Sequence, residues 1–343
     1  MQRWKRRPEG ANWGDFGPDD QLGRLNLLTP ERVRRAAAEI REGRSFCLSL
    51  PLDLPGGQVV NPRRFQPRLR PTYDGDDAFM NYPLERRDPA LLDVISDDAV
   101  LLCLQYSTQW DSLAHVGQLF DADGDGVAEV VYYNGFRGGE DVIGGGTHGC
   151  GEVEAQHGGA RRLGIENMAA KAIQGRGVLL DLAKRCGRER VLVDRDLLLR
   201  AIEEDGVTVE EGDVLCLYTG YADMLIEMGG KPDAPLLEKS CAALDGRDER
   251  LLQWLSDSGI AALVADNYAV EHMPGRTVEG RHTRLPLHEH CLFKIGVPLG
   301  EMWHLAELAR WLAENGRSRF FLTAPPLRLP GAVGSPVTPV ATV

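Results

Sequence analysis

Short apolar runs of strand length recur along the chain and constrain its fold more than any other feature. Continuous apolar runs of this length are typical of strands in a sheet that is covered on both faces. Segments with helical spacing alternate with them, so the chain is predicted to be mixed α/β. The predicted buried strands are 99–104, 177–182, 214–219, 260–265 and 320–323.

Capping residues and side-chain spacing predict the helices. Thr29, Pro30 and Glu31 form an N-cap, a first-turn proline and a first-turn acid, which predict a helix over 30–43. Asp194 similarly predicts a helix that ends near Glu204. Helical spacing also marks residues 248–257 and 302–314, and the Pro- and Gly-rich tail 325–343 is predicted to be extended.

Charge and composition exclude several classes of protein. The 343-residue chain carries a net charge of -12, which disfavours a nucleic-acid partner. No apolar stretch reaches the roughly 20 residues of a membrane span, and no apolar segment follows the basic start as in a secretory signal. The seven cysteines are scattered, which indicates reduced thiols. These features predict a cytoplasmic protein without a nucleic-acid or membrane partner.

A polar stretch directly follows the predicted strand 99–104. Alternate residues of an extended chain point to the same side, so four polar side chains would converge on one surface. A strand end that meets water would show the same alternation. His115 follows Asp111 by four positions, a pairing suited to acid–base or metal chemistry. The four converging residues are Gln105, Ser107, Gln109 and Asp111.

The stretch 105–115 resembles H-x-G-T-H-x-D-x-x-x-H, the signature of the cyclase family of metal-dependent hydrolases, which includes bacterial kynurenine formamidase and isatin hydrolase. Gln105 and Gln109 replace its first two histidines. The resemblance implies a swivelling β/β/α fold and a single catalytic domain over 1–343, with residues 1–45 as the N-terminal extension of a long variant. Further segments that resemble the family are 12–31, 175–182, 211–221, 288–301 and 334–341.

The resemblance also implies site residues. Family members hold a divalent metal through the signature and through a later histidine and glutamate, and the last histidine of the signature, here His115, acts as general acid/base together with Asp111. His290 is an alternative to His288 as the later histidine. The implied ligand positions are Gln105, Gln109, Asp111, His288 and Glu301.

The two glutamines alter the expected metal chemistry. A glutamine carbonyl is a hard oxygen donor, whereas imidazole suits zinc. Mn²⁺ or Zn²⁺ is the expected cofactor from the family, the glutamines favour Mn²⁺ or Mg²⁺ over Zn²⁺, and loss of the metal stays open. Three functions follow: a metal-assisted hydrolase of an amide or cyclic amide, a metal-independent cyclase or dehydratase that uses His115, and a non-catalytic binding protein.

Aromatic residues near these segments predict a pocket for a small, planar substrate. The resemblance further implies a homodimer or homotetramer. The sequence D-x-D-G-D-G at 121–126 opens like a calcium loop, but Tyr132 stands where that loop requires a glutamate, so a tight turn is predicted instead. The predicted substrate contacts are Trp13, Tyr106, Trp110, Phe136 and His148.

Overall fold

A computed structural model describes residues 2–145 and 158–343 of the chain. It confirms the mixed α/β class: within this part, nine strands form one sheet, and its four middle strands are parallel. From edge to edge the strands are Ser45–Cys47, Val340–Thr342, Arg319–Thr323, Gln174–Asp181, Val214–Tyr218, Ala262–Ala265, Leu299–Glu301, Gln109–Asp111 and Gly334–Pro336.

The middle strands are buried on both faces, as their continuous apolar sequences predict. In the strand Gln174–Asp181, Val178 and Leu180 pack into one core cluster while Leu179 packs into the cluster on the opposite face. Successive side chains of a strand point to opposite faces, so an unbroken apolar run is what two covering layers require. This prediction was correct because both faces of these strands are covered by core side chains.

Helices cover the sheet, and the predicted caps are present. Thr29 accepts a hydrogen bond from the backbone of Arg32, and Asp194 accepts one from Leu197. Two predicted spans were too long: the first helix ends at Ala37, and the last begins only at Ala306. The α-helices are Pro30–Ala37, Ile165–Lys171, Ala183–Cys186, Arg195–Glu204, Tyr221–Glu227, Ala234–Glu238, Glu249–Ser258, Pro286–His288 and Ala306–Glu314; the 3₁₀-helices are Gly23–Leu27, Leu84–Arg86 and Tyr133–Gly135, and Glu289–Lys294 is a π-helix.

The predicted buried strand at 99–104 was wrong. The strand found there, Asp98–Leu101, pairs with Arg68–Pro71 in a separate two-stranded ribbon. Val100 is 47% exposed and Leu101 is 52% exposed. An apolar run shows that a strand can be covered, but not that another layer of the protein covers it.

The remaining strands form small two-stranded sheets. Two strands of the C-terminal tail, Gly334–Pro336 and Val340–Thr342, complete the nine-stranded sheet. No helix within the described ranges is both long enough and apolar enough to cross a membrane. The other pairs are Tyr73–Asp74 with Asp77–Ala78, Tyr82–Pro83 with Val94–Ile95, Gln118–Phe120 with Glu129–Val131, Val142–Ile143 with Gly159–Ala160, and Val191–Val193 with Ala242–Leu244.

Candidate metal centre

The register of two antiparallel strands creates the candidate site. Gln109 lies opposite Glu301, and Asp111 lies opposite Leu299. Alternate residues share a face, so Gln109, Asp111 and Glu301 all point to the same side of the sheet. The Gln109 amide nitrogen donates to Oε2 of Glu301 at 3.1 Å. Residues 192 positions apart are therefore held together by backbone pairing.

His288 approaches the same face from the helix Pro286–His288. Its Nε2 lies 3.1 Å from Oε1 of Glu301 and 4.0 Å from Oδ2 of Asp111. Asp111, His288 and Glu301 each offer a ligand atom, and these atoms lie within 4.8 Å of one another. All three residues are buried. The structure thus gathers three of the five predicted ligands into one compact cluster.

Glu271 fixes the orientation of His288. Its carboxylate accepts hydrogen bonds from the backbone N–H of Leu287 and of His288, both at 2.9 Å, and contacts Nδ1 of His288 at 2.7 Å. A carboxylate at Nδ1 holds the ring proton there and leaves Nε2 free to bind a metal, as second partners of metal-binding histidines commonly do. Glu271 is not among the residues predicted from the sequence. A lone acid in an irregular loop carries no signal of this role.

The cluster crowds two carboxyl groups and an imidazole into a buried site. Burial raises the pKa of Asp111, and the nearby charge of Glu301 raises it further, to about 8. Burial alone would lower the pKa of His288, but its hydrogen bonds with Glu271 and Glu301 raise it to about 10. Burial also acts to raise the pKa of Glu301, yet the hydrogen bond with His288 lowers it overall. Both Asp111 and His288 therefore favour their protonated forms, as expected where carboxylates are crowded together without a cation.

Two oxygen atoms of the cluster are unsatisfied. Oδ2 of Asp111 and Oε1 of Gln109 are buried and accept no hydrogen bond from any part of the chain that the structure describes. Buried polar atoms normally have partners, so orphaned acceptors need an explanation. A divalent cation coordinated by oxygen and imidazole would satisfy them and offset the carboxylate charge. The residues present fit such an ion.

His115 lies at the open side of the cluster. Its Nε2 is 3.7 Å from Oδ1 of Asp111, and its side chain is 20% exposed, whereas Asp111 is fully buried. Burial lowers the pKa of His115 to about 4, with the charge of His288 acting in the same direction. An unprotonated imidazole at neutral pH can accept a proton from a molecule that enters from this side.

Of the four polar residues predicted to share one face of a strand, only Gln109 and Asp111 do so, because the strand begins at Gln109. The segment before it turns, with the Tyr106 N–H donating to the carbonyl of Cys103. The Gln105 amide instead packs against Gly334 of the neighbouring strand. The contact is so close that a Cβ atom, if Gly334 had one, would lie only 2.4 Å from the Gln105 amide nitrogen. Thr108 holds the bend by donating to the carbonyl of Met302. The prediction of one continuous strand was wrong because side-chain hydrogen bonds end it.

The later histidine of the cluster is His288, whereas His290 points elsewhere. Ring atom Nε2 of His290 lies 2.9 Å from the Ser256 hydroxyl, on the helix Glu249–Ser258. Burial lowers the pKa of His290 to about 4. The alternative ligand considered from the sequence is therefore a neutral core histidine.

Three of the aromatic residues predicted to contact substrate lie in the core. Trp13 is 1% exposed and packs edge-on against Phe293, while Trp110 packs edge-on against Trp303. Phe136 is fully buried. Packing accounts for their positions, and their contact with a substrate stays a prediction. His148 lies outside the described residues.

Tyr106 borders a cavity next to Arg64. Its hydroxyl donates to the carbonyl of Gly57 at 2.9 Å. The cavity wall also includes Arg64 and Tyr268. Trp13 also borders a hollow, but that hollow is lined by residues of the N-terminal segment 2–15.

The fold and the cluster together define a mixed α/β protein with a buried carboxylate–histidine site suited to a divalent metal. Residues 48–272 match the sequence profile of the Cyclase family. A solved structure of a novel cyclase is 33% identical to the chain, with 97% of each chain covered and a TM-score of 0.73. The chain belongs to the cyclase family, which confirms the resemblance seen in its sequence.

More distant proteins share the fold. Isatin hydrolase A from Labrenzia aggregata, bound to benzyl benzoate, is 13% identical over 88% of this chain and 93% of its own, with a TM-score of 0.52. Isatin hydrolase A from Ralstonia solanacearum is 14% identical over 92% and 98%, with a TM-score of 0.53. The comparison with curated proteins finds no match.

Proposed function

We propose that the protein is a metal-assisted hydrolase of an amide or cyclic amide bond in a small substrate. The observation that carries this proposal is the buried cluster of Asp111, His288 and Glu301, with orphaned acceptor oxygens facing inward. Membership of the cyclase family supports an enzyme. Two proteins that share the fold are isatin hydrolases, so isatin, a cyclic amide, is a suitable first substrate.

Asp111, His288 and Glu301 would hold the ion, and the orphaned oxygen of Gln109 is a further donor. A divalent ion bound there supplies Lewis acidity, which polarises a substrate carbonyl and makes water a stronger nucleophile near neutral pH. Gln109 donates to Glu301, and Glu271 orients His288. These contacts set the geometry of the cluster before any substrate arrives.

His115 would move the proton. Its unprotonated Nε2 accepts a proton from water as the new carbon–oxygen bond forms at the carbonyl carbon, and it then returns that proton to the leaving nitrogen as the carbon–nitrogen bond breaks. Asp111 lies 3.7 Å from Nε2 of His115 and stabilises the transient imidazolium. The products are a carboxylic acid and an amine, or an amino acid where the substrate is a cyclic amide.

A second candidate function is a metal-independent cyclase or dehydratase. Gln105 and Gln109 stand where the family signature has histidines, which weakens binding of zinc-like metals. The pair of His115 and Asp111 could transfer protons without an ion. Such an enzyme would be indifferent to chelators.

Metal analysis combined with an amide-hydrolysis assay tests the proposal. Protein purified without chelator should contain about one divalent ion per chain and hydrolyse isatin or formanilide, lose both ion and activity on dialysis against a chelator, and regain them with Mn²⁺. His115→Ala should abolish turnover and keep the ion, whereas His304→Ala, near Asp223 and outside the cluster, should behave like the wild type. Activity that survives complete metal removal would contradict the proposal and favour the second candidate.

A further inference from the structure

Arg64 reaches the candidate metal centre from a loop that the sequence analysis did not connect with it. Its guanidinium donates to the carbonyl of Gln105 and lies 5.9 Å from the centre of the Tyr268 ring. Tyr268 in turn accepts a hydrogen bond from Asn61 at 2.9 Å. Contacts with Gln105 and Tyr268 therefore hold Arg64 beside the segment that leads into Gln109 and Asp111.

The charge of Arg64 has no fixed partner. Among the residues that the structure describes, no carboxylate oxygen lies within the 4.0 Å of an ion pair. Arg176, another half-buried arginine, pairs instead with Asp213 at 2.7 Å. A guanidinium has five N–H donors, and the bond to Gln105 uses one of them. The remaining donors are available to a ligand.

The electrostatic influence of Arg64 extends to the cluster. Burial is the largest influence on the pKa values of Asp111, Glu301 and His115, but the positive charge of Arg64 favours the two ionised carboxylates and disfavours protonated His115. With a divalent ion bound, the carboxylates of Asp111, Glu271 and Glu301 would leave one negative charge, which Arg64 balances. The loaded site would then not repel an anion.

Two cavities lie on the side of the fold that carries this arginine. Arg64 and Tyr106 line a small cavity, and the neighbouring cavity of about 280 Å³ shares Val60 and Tyr268 with it. Glu271, the carboxylate that orients His288, lies on the wall of the larger cavity. Pockets of this size accept one-ring ligands, and a few fixed polar groups determine their orientation.

We propose that Arg64 is the anion-recognition residue of this site and that the substrate carries a carboxylate, which the guanidinium binds while the amide bond lies at the metal centre. This inference rests on the proposed hydrolase function. A planar guanidinium matches a carboxylate in shape and can donate two parallel hydrogen bonds to it. Arg64 thus selects acidic amides over neutral ones.

Binding of benzoate and of its uncharged counterpart benzamide, measured by isothermal titration calorimetry, tests the inference without requiring turnover. Wild-type protein should prefer benzoate, and Arg64→Gln should weaken benzoate binding about 10- to 100-fold while changing benzamide binding less than about twofold. Arg64→Lys keeps the charge but not the planar donors, so it should lose an intermediate part of the affinity. Arg70→Gln, in the exposed strand Arg68–Pro71, is the matched control and should bind like the wild type.

Equal weakening of both ligands, or unchanged benzoate affinity in Arg64→Gln, would overturn the inference. Hydrolysis of 2-formamidobenzoate and formanilide separates this result from the proposed function. If neither amide is cleaved while the benzoate difference persists, the hydrolase proposal fails and the anion site stands. If formanilide is cleaved equally well with and without Arg64 and benzoate is not preferred, only the anion site fails.

Discussion

Within residues 2–145 and 158–343, two clusters of acidic and histidine side chains have ligand atoms close enough to share a metal ion, but their surroundings differ. Asp111, His288 and Glu301 are buried on the sheet, whereas Asp121, Asp123 and Glu129 lie half-exposed at a hairpin. In both sets the candidate atoms lie within 4.8 Å of one another. Spacing alone therefore does not distinguish the two clusters.

The hairpin cluster already has partners. Asp121 accepts hydrogen bonds from the backbone N–H of Gly124 at 2.7 Å and of Gly126 at 3.1 Å, and it pairs with Arg6 at 2.9 Å. Arg137 contacts Glu129. In the sheet cluster, by contrast, buried oxygens of Asp111 and Gln109 lack partners. The sheet cluster therefore combines crowded ligand atoms with unsatisfied buried acceptors, whereas the acidic groups of the hairpin cluster already have hydrogen-bond and ion-pair partners.

Removing one carboxylate from each cluster should give the largest contrast. Asp111→Asn is expected to lower amide hydrolysis by about a thousandfold or more, because the ion contributes several kcal/mol of transition-state stabilisation. Asp121→Asn should stay within about twofold of wild-type activity. Steady-state kinetics on both variants checks this expectation. Equal losses of activity in the two variants would show that the sheet cluster is no more important for hydrolysis than the hairpin cluster.

The pH dependence of metal binding should separate the clusters further. Metal-free Asp111, with a pKa of about 8, and His288, with a pKa of about 10, hold protons at neutral pH that an ion must displace. The apparent Kd is therefore expected to rise between about tenfold (one proton displaced) and about a hundredfold (both displaced) per pH unit below pH 8, and at least about a hundredfold by pH 6.

The hairpin cluster should lack this dependence. Burial acts to raise the pKa of Asp121, but the N–H groups of Gly124 and Gly126 lower it overall, so that carboxylate is ionised throughout the range. Calorimetric Mn²⁺ titrations in buffers of different ionisation enthalpy would count the released protons. A Kd that stays flat between pH 8 and pH 6 would argue against binding at Asp111 and His288.

Glu271 should matter to the sheet cluster although it does not face the ion. Glu271→Gln removes the acceptor that holds the His288 ring proton, so Mn²⁺ affinity should fall about 10- to 100-fold. Competition titrations with a chelator would measure the affinity. The control is Glu238→Gln. Glu238 is exposed and lines the 280 Å³ cavity that Glu271 also lines, and its replacement should leave the Mn²⁺ affinity unchanged. Wild-type affinity in Glu271→Gln would show that His288 needs no such support.

Gln109→His is expected to have the smallest effect of these variants, a shift in the preference between Zn²⁺ and Mn²⁺. Imidazole in place of the amide is expected to raise the ratio of Zn²⁺ to Mn²⁺ affinity about tenfold, since nitrogen donors suit zinc better than manganese. The matched control is Gln118→His, at the hairpin strand Gln118–Phe120. Thermal melting would verify that the variant is folded. An unchanged ratio would place Gln109 outside the coordination sphere.

Sequence reasoning recovered the middle of the fold and part of the site. The middle strands were predictable because an unbroken apolar run puts apolar side chains on both faces of a strand, and both faces are covered there. Asp111, His288 and Glu301 were proposed from the family resemblance, and the register of Glu301 against Gln109 explains why they meet. The family assignment itself is confirmed.

Other features depend on contacts that no local pattern records. The strand at 98–101 is exposed because nothing described packs over its ribbon, which its apolar residues could not reveal. Glu271 supports His288 only because a loop of irregular backbone returns to the helix Pro286–His288. Arg64 similarly reaches the site across 41 residues of sequence by donating to Gln105.

Anomalous diffraction from a crystal grown with Mn²⁺ would test the metal centre most directly. We expect one strong peak about 2.0–2.4 Å from oxygens of Asp111 and Glu301 and from Nε2 of His288, at full occupancy. No comparable peak should lie at Asp121, Asp123 and Glu129. A peak at the hairpin with none at Asp111 would contradict the account.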